Sequence, residues 1–174
     1  MTKAEARRGA LLDSLADHVL AHGLSASSLR PLAKAAGTSD RMLLYYFPDK
    51  GAVIAAVLAV VAARMVTLLD ARKAAGPLPY EILRPKLLGI VFADELWPYM
   101  RLWLEMAALA ALGDPVFSSV GEQLGRGFLA WGEAQLDSPS DAVRAVEAAN
   151  LLVAIEGTLL LRSVGMADVA AKAV

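Results

Sequence analysis

The sequence predicts an all-α fold, and three observations predict it. Apolar residues recur at helical spacing along nearly the whole chain, with no strand-like alternation and no internal repeat. They make up 57% of the 174 residues against 20% charged, which suits a packed core and excludes a disordered chain. Gly, Pro, Ser and Asp punctuate the pattern where helices must start and stop.

The elements follow in order. Residues 4–22 place Leu11, Leu12, Leu15, Ala16, Val19 and Leu20 on one helical face, and Gly23 is a natural stop. Ser25, Ser27 and Ser28 offer caps for a second helix, Leu29–Ala36, with Pro31 in its tolerant first turn. Gly37 ends it, and Thr38 or Ser39 caps a third, Asp40–Tyr46. After Phe47-Pro48-Asp49-Lys50 a long helix is predicted over 51–74, closed by the linker Gly76-Pro77-Leu78-Pro79. Further helices are predicted over 80–93, 94–112, 116–136 and 141–164, with a short tail over 166–173. Four glycines (Gly121, Gly125, Gly127, Gly132) argue against regularity in the helix over 116–136, since each costs about 1 kcal/mol relative to Ala.

Composition excludes several classes. The mean hydropathy is +0.49, yet the longest stretch free of Asp, Glu, Lys and Arg is residues 51–63. That is shorter than the roughly 18–20 apolar residues of a spanning helix, so no membrane segment is expected. No secretory signal is visible, and the cytoplasm is the expected compartment. With no Cys and two His, disulfides, thiolate sites and His-rich metal sites are not expected. There is no G-x-S-x-G, no phosphate loop and no metal-spaced acidic or His cluster, so neither an enzyme nor a cofactor is expected. His18 and His22 stand i, i+4, but lack a third ligand nearby. Residues 1–50 carry seven basic and five acidic side chains, whereas residues 51–174 carry ten and thirteen. The N-terminal excess of positive charge suits a polyanionic partner.

Three short helices with a tight Gly-containing turn between the second and third form a helix-turn-helix pattern. Ala33 allows close approach, Gly37 supplies backbone freedom, and Leu32, Leu43 and Phe47 can pack against Leu11, Leu15 and Val19. The run Ser27-Ser28-Leu29-Arg30-Pro31-Leu32-Ala33-Lys34-Ala35-Ala36-Gly37-Thr38-Ser39, followed by Leu43-Leu44-Tyr45-Tyr46-Phe47-Pro48-Asp49-Lys50, resembles the TetR-type (tetracycline-repressor-like) transcriptional regulators. The resemblance covers about residues 8–58. Beyond it, only length, helical content and Ala154-Ile155-Glu156-Gly157 match. Leu44 stands where the family usually has Tyr, Met42 where it usually has Thr or Ser, and Pro31 in place of a polar residue. The resemblance implies a DNA-binding regulator, most often a repressor, responding to a small molecule.

On that pattern, Arg41 and Arg30 are candidates for base edges, because an arginine can bond guanine with two donors. Asp40 can accept from cytosine or favour the helix start. Met42 and Leu44 belong to the same short helix. Ser28, Ser39, Tyr46 and Lys50 are phosphate candidates, with Tyr45 on either side. Lys3, Arg7 and Arg8 form a basic arm.

In the second half, Phe92, Trp97, Met100, Trp103 and Met106, with Phe117, Phe128 and Trp131, are either core or the wall of a pocket for an apolar or amphipathic effector. Arg101 and Glu105 stand i, i+4 as a surface pair. The helices near 116–136 and 141–164, rich in small residues, are candidates for a homodimer interface. The expected organisation is a DNA-binding domain at 1–50, a connecting helix at 51–76, and a helical effector-binding and dimerisation domain at 77–174. The expected partners are therefore a double-stranded, palindromic DNA operator, an unknown effector and a second copy of the chain. The alternative is a helical protein-interaction module without specific DNA binding.

Overall fold

Helix boundaries in the computed structural model, which describes residues 3–172, mostly fall where the caps and stops place them. The helices are α1 Lys3–His22, α2 Leu29–Ala35, α3 Asp40–Tyr46, α4 Lys50–Asp70, α5 Tyr80–Val91, α6 Trp97–Ala111, α7 Pro115–Glu133, α8 Asp141–Ser163 and α9 Ala167–Lys172. A 3-10 turn, Asp94–Leu96, precedes α6. Among the described residues there is no strand, only one isolated parallel bridge between Leu78 and Leu136. The tail predicted through Ala173 ends at Lys172; Ala173 lies outside the described residues.

The chain divides into two compact units. The first takes the residues up to 66 and 101–122, and five helices contribute to its core. Leu15, Ala16 and Val19 of α1, Leu32 and Ala33 of α2, and Leu43 of α3 are buried with Phe47. Val53, Ile54, Val57 and Leu58 of α4 and Leu102 and Met106 of α6 are buried too. α2 and α3 have seven residues each, far below the length at which an isolated helix is stable, so they exist only through this shared core. Arg64 of α4 bonds Asp13 and Asp17 of α1 at 2.8 and 2.6 Å, and these hydrogen bonds raise its pKa further.

α4 is long and apolar enough, by length and composition, to cross a bilayer, which corrects the expectation that no segment is. Arg64 interrupts the charge-free count but not the helix. In the first unit α4 acts as a core helix, with a buried stripe and a charge-paired arginine.

The second unit holds residues 67–100 and those from 123 onward. Leu83, Leu87, Leu88 and Val91 of α5 and Ala148, Leu151 and Leu159 of α8 are buried there. Arg162 lies 4.9 Å from the centre of the Phe92 ring, a cation–π distance. Trp131 donates its Nε1–H to Asp70 at 3.0 Å, and that bond, followed by Lys73, holds the Asp70 carboxyl below its ordinary value. The Ser140 hydroxyl accepts from the Val143 N–H at the start of α8, as the turn at 137–140 predicts.

Several boundaries differ from expectation, among them the end of α7 at Glu133 rather than Leu136. α4 ends at Asp70 rather than Ala74, although residues 71–75 are good helix formers. Leu78 is drawn into a bridge in which its N–H donates to the Gln135 carbonyl at 2.8 Å and its carbonyl accepts from the Asp137 N–H at 2.9 Å. That tertiary pairing overrides local propensity. The helix predicted over 94–112 is split, because Pro98 has no N–H to carry an α-helical bond back to Asp94. The glycine-rich α7 is one unbroken helix; within it, the bare side of Gly121 receives the Met106 methyl.

Candidate nucleic-acid interface

The turn between α2 and α3 is set by Gly37 at φ +61°, a left-handed conformation open to glycine at little cost. The Thr38 N–H then bonds back to the Ala33 carbonyl at 2.9 Å. Ser39 follows in an extended conformation, and its hydroxyl accepts from the Met42 N–H at 3.3 Å, capping α3.

α3 is sharply two-sided. Leu43 is fully buried and Phe47 nearly so. Asp40, Arg41, Leu44 and Tyr45 face outward, and the helical period puts 40 and 44, and 41 and 45, on one exposed face. Tyr45 is 78% exposed and Leu44 45%. Met42 and Tyr46 are half-buried, and the Tyr46 ring meets Tyr45 edge-on at 5.3 Å. Two large side chains are thus held out from a seven-residue helix, where they contribute little to packing.

The remaining candidates surround this face in sequence. Ser28 is the extended N-cap residue of α2, but its side chain makes no capping bond. Arg30 is exposed in the first turn of α2, and Lys50 is exposed at the first residue of α4. Asp49 caps α4 through the Ala52 N–H at 2.8 Å. Among the described residues no ion pair holds Arg30, Arg41 or Lys50, so their charge is available to an anion. Of the basic arm, Arg7 is exposed. Arg8 is stacked 4.8 Å from the centre of the Phe47 ring. The Lys3 side chain lies outside what is described.

Arg101 and Glu105 are not a mere surface pair. Glu105 accepts from the Leu24 N–H at 2.7 Å and the Ser25 N–H at 2.9 Å. Arg101 donates to the Leu20 carbonyl at 2.8 Å and the Ala21 carbonyl at 3.3 Å. Burial pushes the Glu105 carboxyl up, but the two N–H donors, with Ser25's side chain and Arg101, outweigh it and hold it below its ordinary value. No sequence pattern announces this contact, because its partners are some eighty residues apart.

His18 and His22 stack at 4.4 Å, and His22 Nδ1 lies 3.0 Å from the His18 carbonyl. Burial, then the charge of His22, lowers the His18 pKa. Among the described residues no group of three His, Cys, Asp or Glu is placed to hold a metal.

The eight aromatic and Met candidates of the second half are shared between the units. Trp103, Met106 and Phe117 belong to the first; Phe92, Trp97, Met100, Phe128 and Trp131 belong to the second. Phe92, Met100 and Met106 are buried and the others half-buried. A cleft in the second unit, enclosing about 10 Å³, is lined by Leu83, Leu87, Ile90 and Trp131 with Lys73, Lys86, Gln135, Ala74 and Gly76. It shares only Trp131 with the aromatic set.

Residues 11–57 match the family described as bacterial regulatory proteins, tetR family. No curated protein matches the chain. Among solved structures, a transcriptional regulator from Rhodococcus sp. Rha1 aligns over 87% of this chain and 81% of its own, at 21% identity and a TM-score of 0.68. GusR of Salmonella enterica aligns over 98% and 89%, at 20% identity and a TM-score of 0.66. The multidrug binding protein EbrR, in complex with imidazole, aligns over 95% and 93%, at 20% identity and a TM-score of 0.64. At these identities the structural likeness speaks for the fold, while the match over 11–57 speaks for the domain that carries α2 and α3. Residues 11–57 thus resemble the DNA-binding domain of the tetR-family regulators, and the rest of the chain shares the fold of solved transcriptional regulators.

Proposed function

We propose that the chain is a repressor that binds a near-palindromic operator as a homodimer and releases it when a small apolar or amphipathic molecule binds. The observation that carries this reading is the outward face of α3, with Asp40, Arg41, Leu44 and Tyr45 exposed over a buried Leu43. Arg41 reads a base edge, and Arg30 reads a second from α2. Ser28, Ser39, Tyr46 and Lys50 hold phosphates, which fix register without specifying sequence.

A single helix-turn-helix makes few base contacts, so affinity requires two copies. α8 supports a symmetric pairing, because Val146, Val153 and Leu160 stand seven residues apart and are 60%, 70% and 58% exposed. α7 supplies exposed small residues such as Gly127 and Ala130. The effector site is placed in the second unit among Phe92, Trp97, Met100, Phe128 and Trp131, and the cytoplasm is the compartment. The likeness to a multidrug binding protein supports response to a small molecule.

The test is selection of bound sequences from a random DNA pool. Enrichment of a near-palindrome with half-sites about one helical turn apart or somewhat more is the expected result. Recovery of unenriched sequence, or of none, favours a protein-interaction module instead. Tryptophan fluorescence titration with hydrophobic compounds, with and without the selected DNA, tests the response. By linkage, any effector that weakens DNA binding must itself bind more weakly to the DNA complex by the same factor.

A further inference from the structure

The contacts of α6 on the turn between α1 and α2 point to two residues outside the matched segment. We infer that Arg101 and Glu105 of α6 are positioning residues for DNA binding, forming a two-sided clamp that fixes how the chain enters α2. This inference rests on the reading of residues 1–50 as the DNA-binding head.

The clamp works on both polarities of the backbone. The last carbonyls of α1 have no intrahelical partner. Arg101 supplies donors to two of them, on Leu20 and Ala21. The next two N–H groups beyond Gly23, on Leu24 and Ser25, point the other way, and Glu105 accepts both. A cation on carbonyls at a helix C-terminus and a carboxylate on two amides are charge-assisted bonds, stronger than neutral ones.

The turn is also shaped to admit the clamp. Gly23 sits at φ +82°, and a Cβ there would lie 2.6 Å from the Glu105 Oε2. Glycine is thus required twice, for the backbone conformation and for the approach of the carboxylate. Beyond the turn, Ser27 is fully buried and donates its hydroxyl to the Gly23 carbonyl at 2.6 Å. Ser28 follows directly as the N-cap residue whose own side chain makes no capping bond. The direction in which α2 starts, and with it the placement of Ser28 and Arg30, is therefore held by side chains of α6.

The test uses the full chain with Glu105→Ala and Glu105→Gln, since glutamine keeps one acceptor oxygen but not the charge. Amide exchange at Leu24 and Ser25 should quicken by about tenfold in Glu105→Ala, with Val53 and Val57 amides unchanged. Affinity for the selected operator should fall about tenfold and affinity for random DNA by distinctly less, and Glu105→Gln should lie between. Loss on operator and random DNA in equal proportion would mean general destabilisation and would overturn the inference. So would unchanged operator affinity. A parent chain that binds no DNA sinks the DNA-binding reading and the clamp's role with it, whereas a parent and a Glu105→Ala variant that bind equally well sink the clamp alone.

Discussion

Arg41 and Lys50 carry the same charge and are both exposed, yet their positions assign them different work. Arg41 stands in the first turn of α3, on the face it shares with Tyr45. Lys50 opens α4, beside the Asp49 cap. Arg41→Ala should therefore relax sequence preference at one position per half-site, by about 1–3 kcal/mol. Lys50→Ala should weaken binding to every sequence and lower the salt slope by about one per subunit. Quantitative binding to operator and random DNA over a salt series separates the two; equal losses on both for Arg41→Ala would make it a phosphate contact. Inside the head, Leu43 has no exposed surface and joins two helices that cannot stand alone. Leu43→Ala should cost about 2–5 kcal/mol, read as a lowered denaturant midpoint and a loss of DNA binding at the growth temperature.

Among the elements, those whose ends are written in local chemistry were legible in the sequence. α3 runs from Asp40 to Tyr46 as expected, because Gly37, Ser39 and Phe47-Pro48 each impose a local conformation. α8 begins after Ser140 for the same reason. The end of α4 and the split before α6 were less legible, since the first depends on Leu78 reaching residues near 136 and the second on one missing donor at Pro98. The candidate interface could be named residue by residue from the helix-turn-helix pattern, whereas the part played by α6 could not. Arg101 and Glu105 carry no pattern that points eighty residues back to Leu20–Ser25. That contact has a pH consequence. The folded state holds the Glu105 carboxyl below its ordinary 4.5, so the unfolded turn binds the proton more readily. The clamp's contribution is then present in full above pH 4.5 and is lost as pH falls through the lower folded value. Arg101 is the charged group that faces it. Protection of the Leu24 and Ser25 amides should fall over that acid range in the parent chain, and Glu105→Gln should remove the pH dependence. An unchanged acid profile in Glu105→Gln would assign the transition to another group.

For the whole molecule, the proposed pairing of two copies rests on the apolar stripe that α8 leaves uncovered. α8 buries Ala148, Leu151 and Leu159 on one side and leaves Val146, Val153 and Leu160 exposed on another. Covering a Val or Leu side chain fully stabilises by about 1.5–3 kcal/mol, so a three-residue stripe doubled by symmetry is a substantial driving force for pairing. In a two-fold arrangement the same residue faces the interface from both copies. Val153→Lys therefore introduces two like charges into a surface that is being dehydrated, which is costly unless they find partners. The parent chain should sediment as a dimer at micromolar concentration, and Val153→Lys as a folded monomer with unchanged helical content. Its operator affinity should fall by at least about a hundredfold, because each half-site then binds with the few contacts of one head, while its weak affinity for random DNA should change less. Ile82→Lys on α5 is the control, since Ile82 is also apolar and 56% exposed but lies off this stripe. If Val153→Lys remains a dimer that binds operator like the parent, or if Ile82→Lys dissociates it instead, then pairing does not run through α8 and the spacing of the two heads is set by another surface.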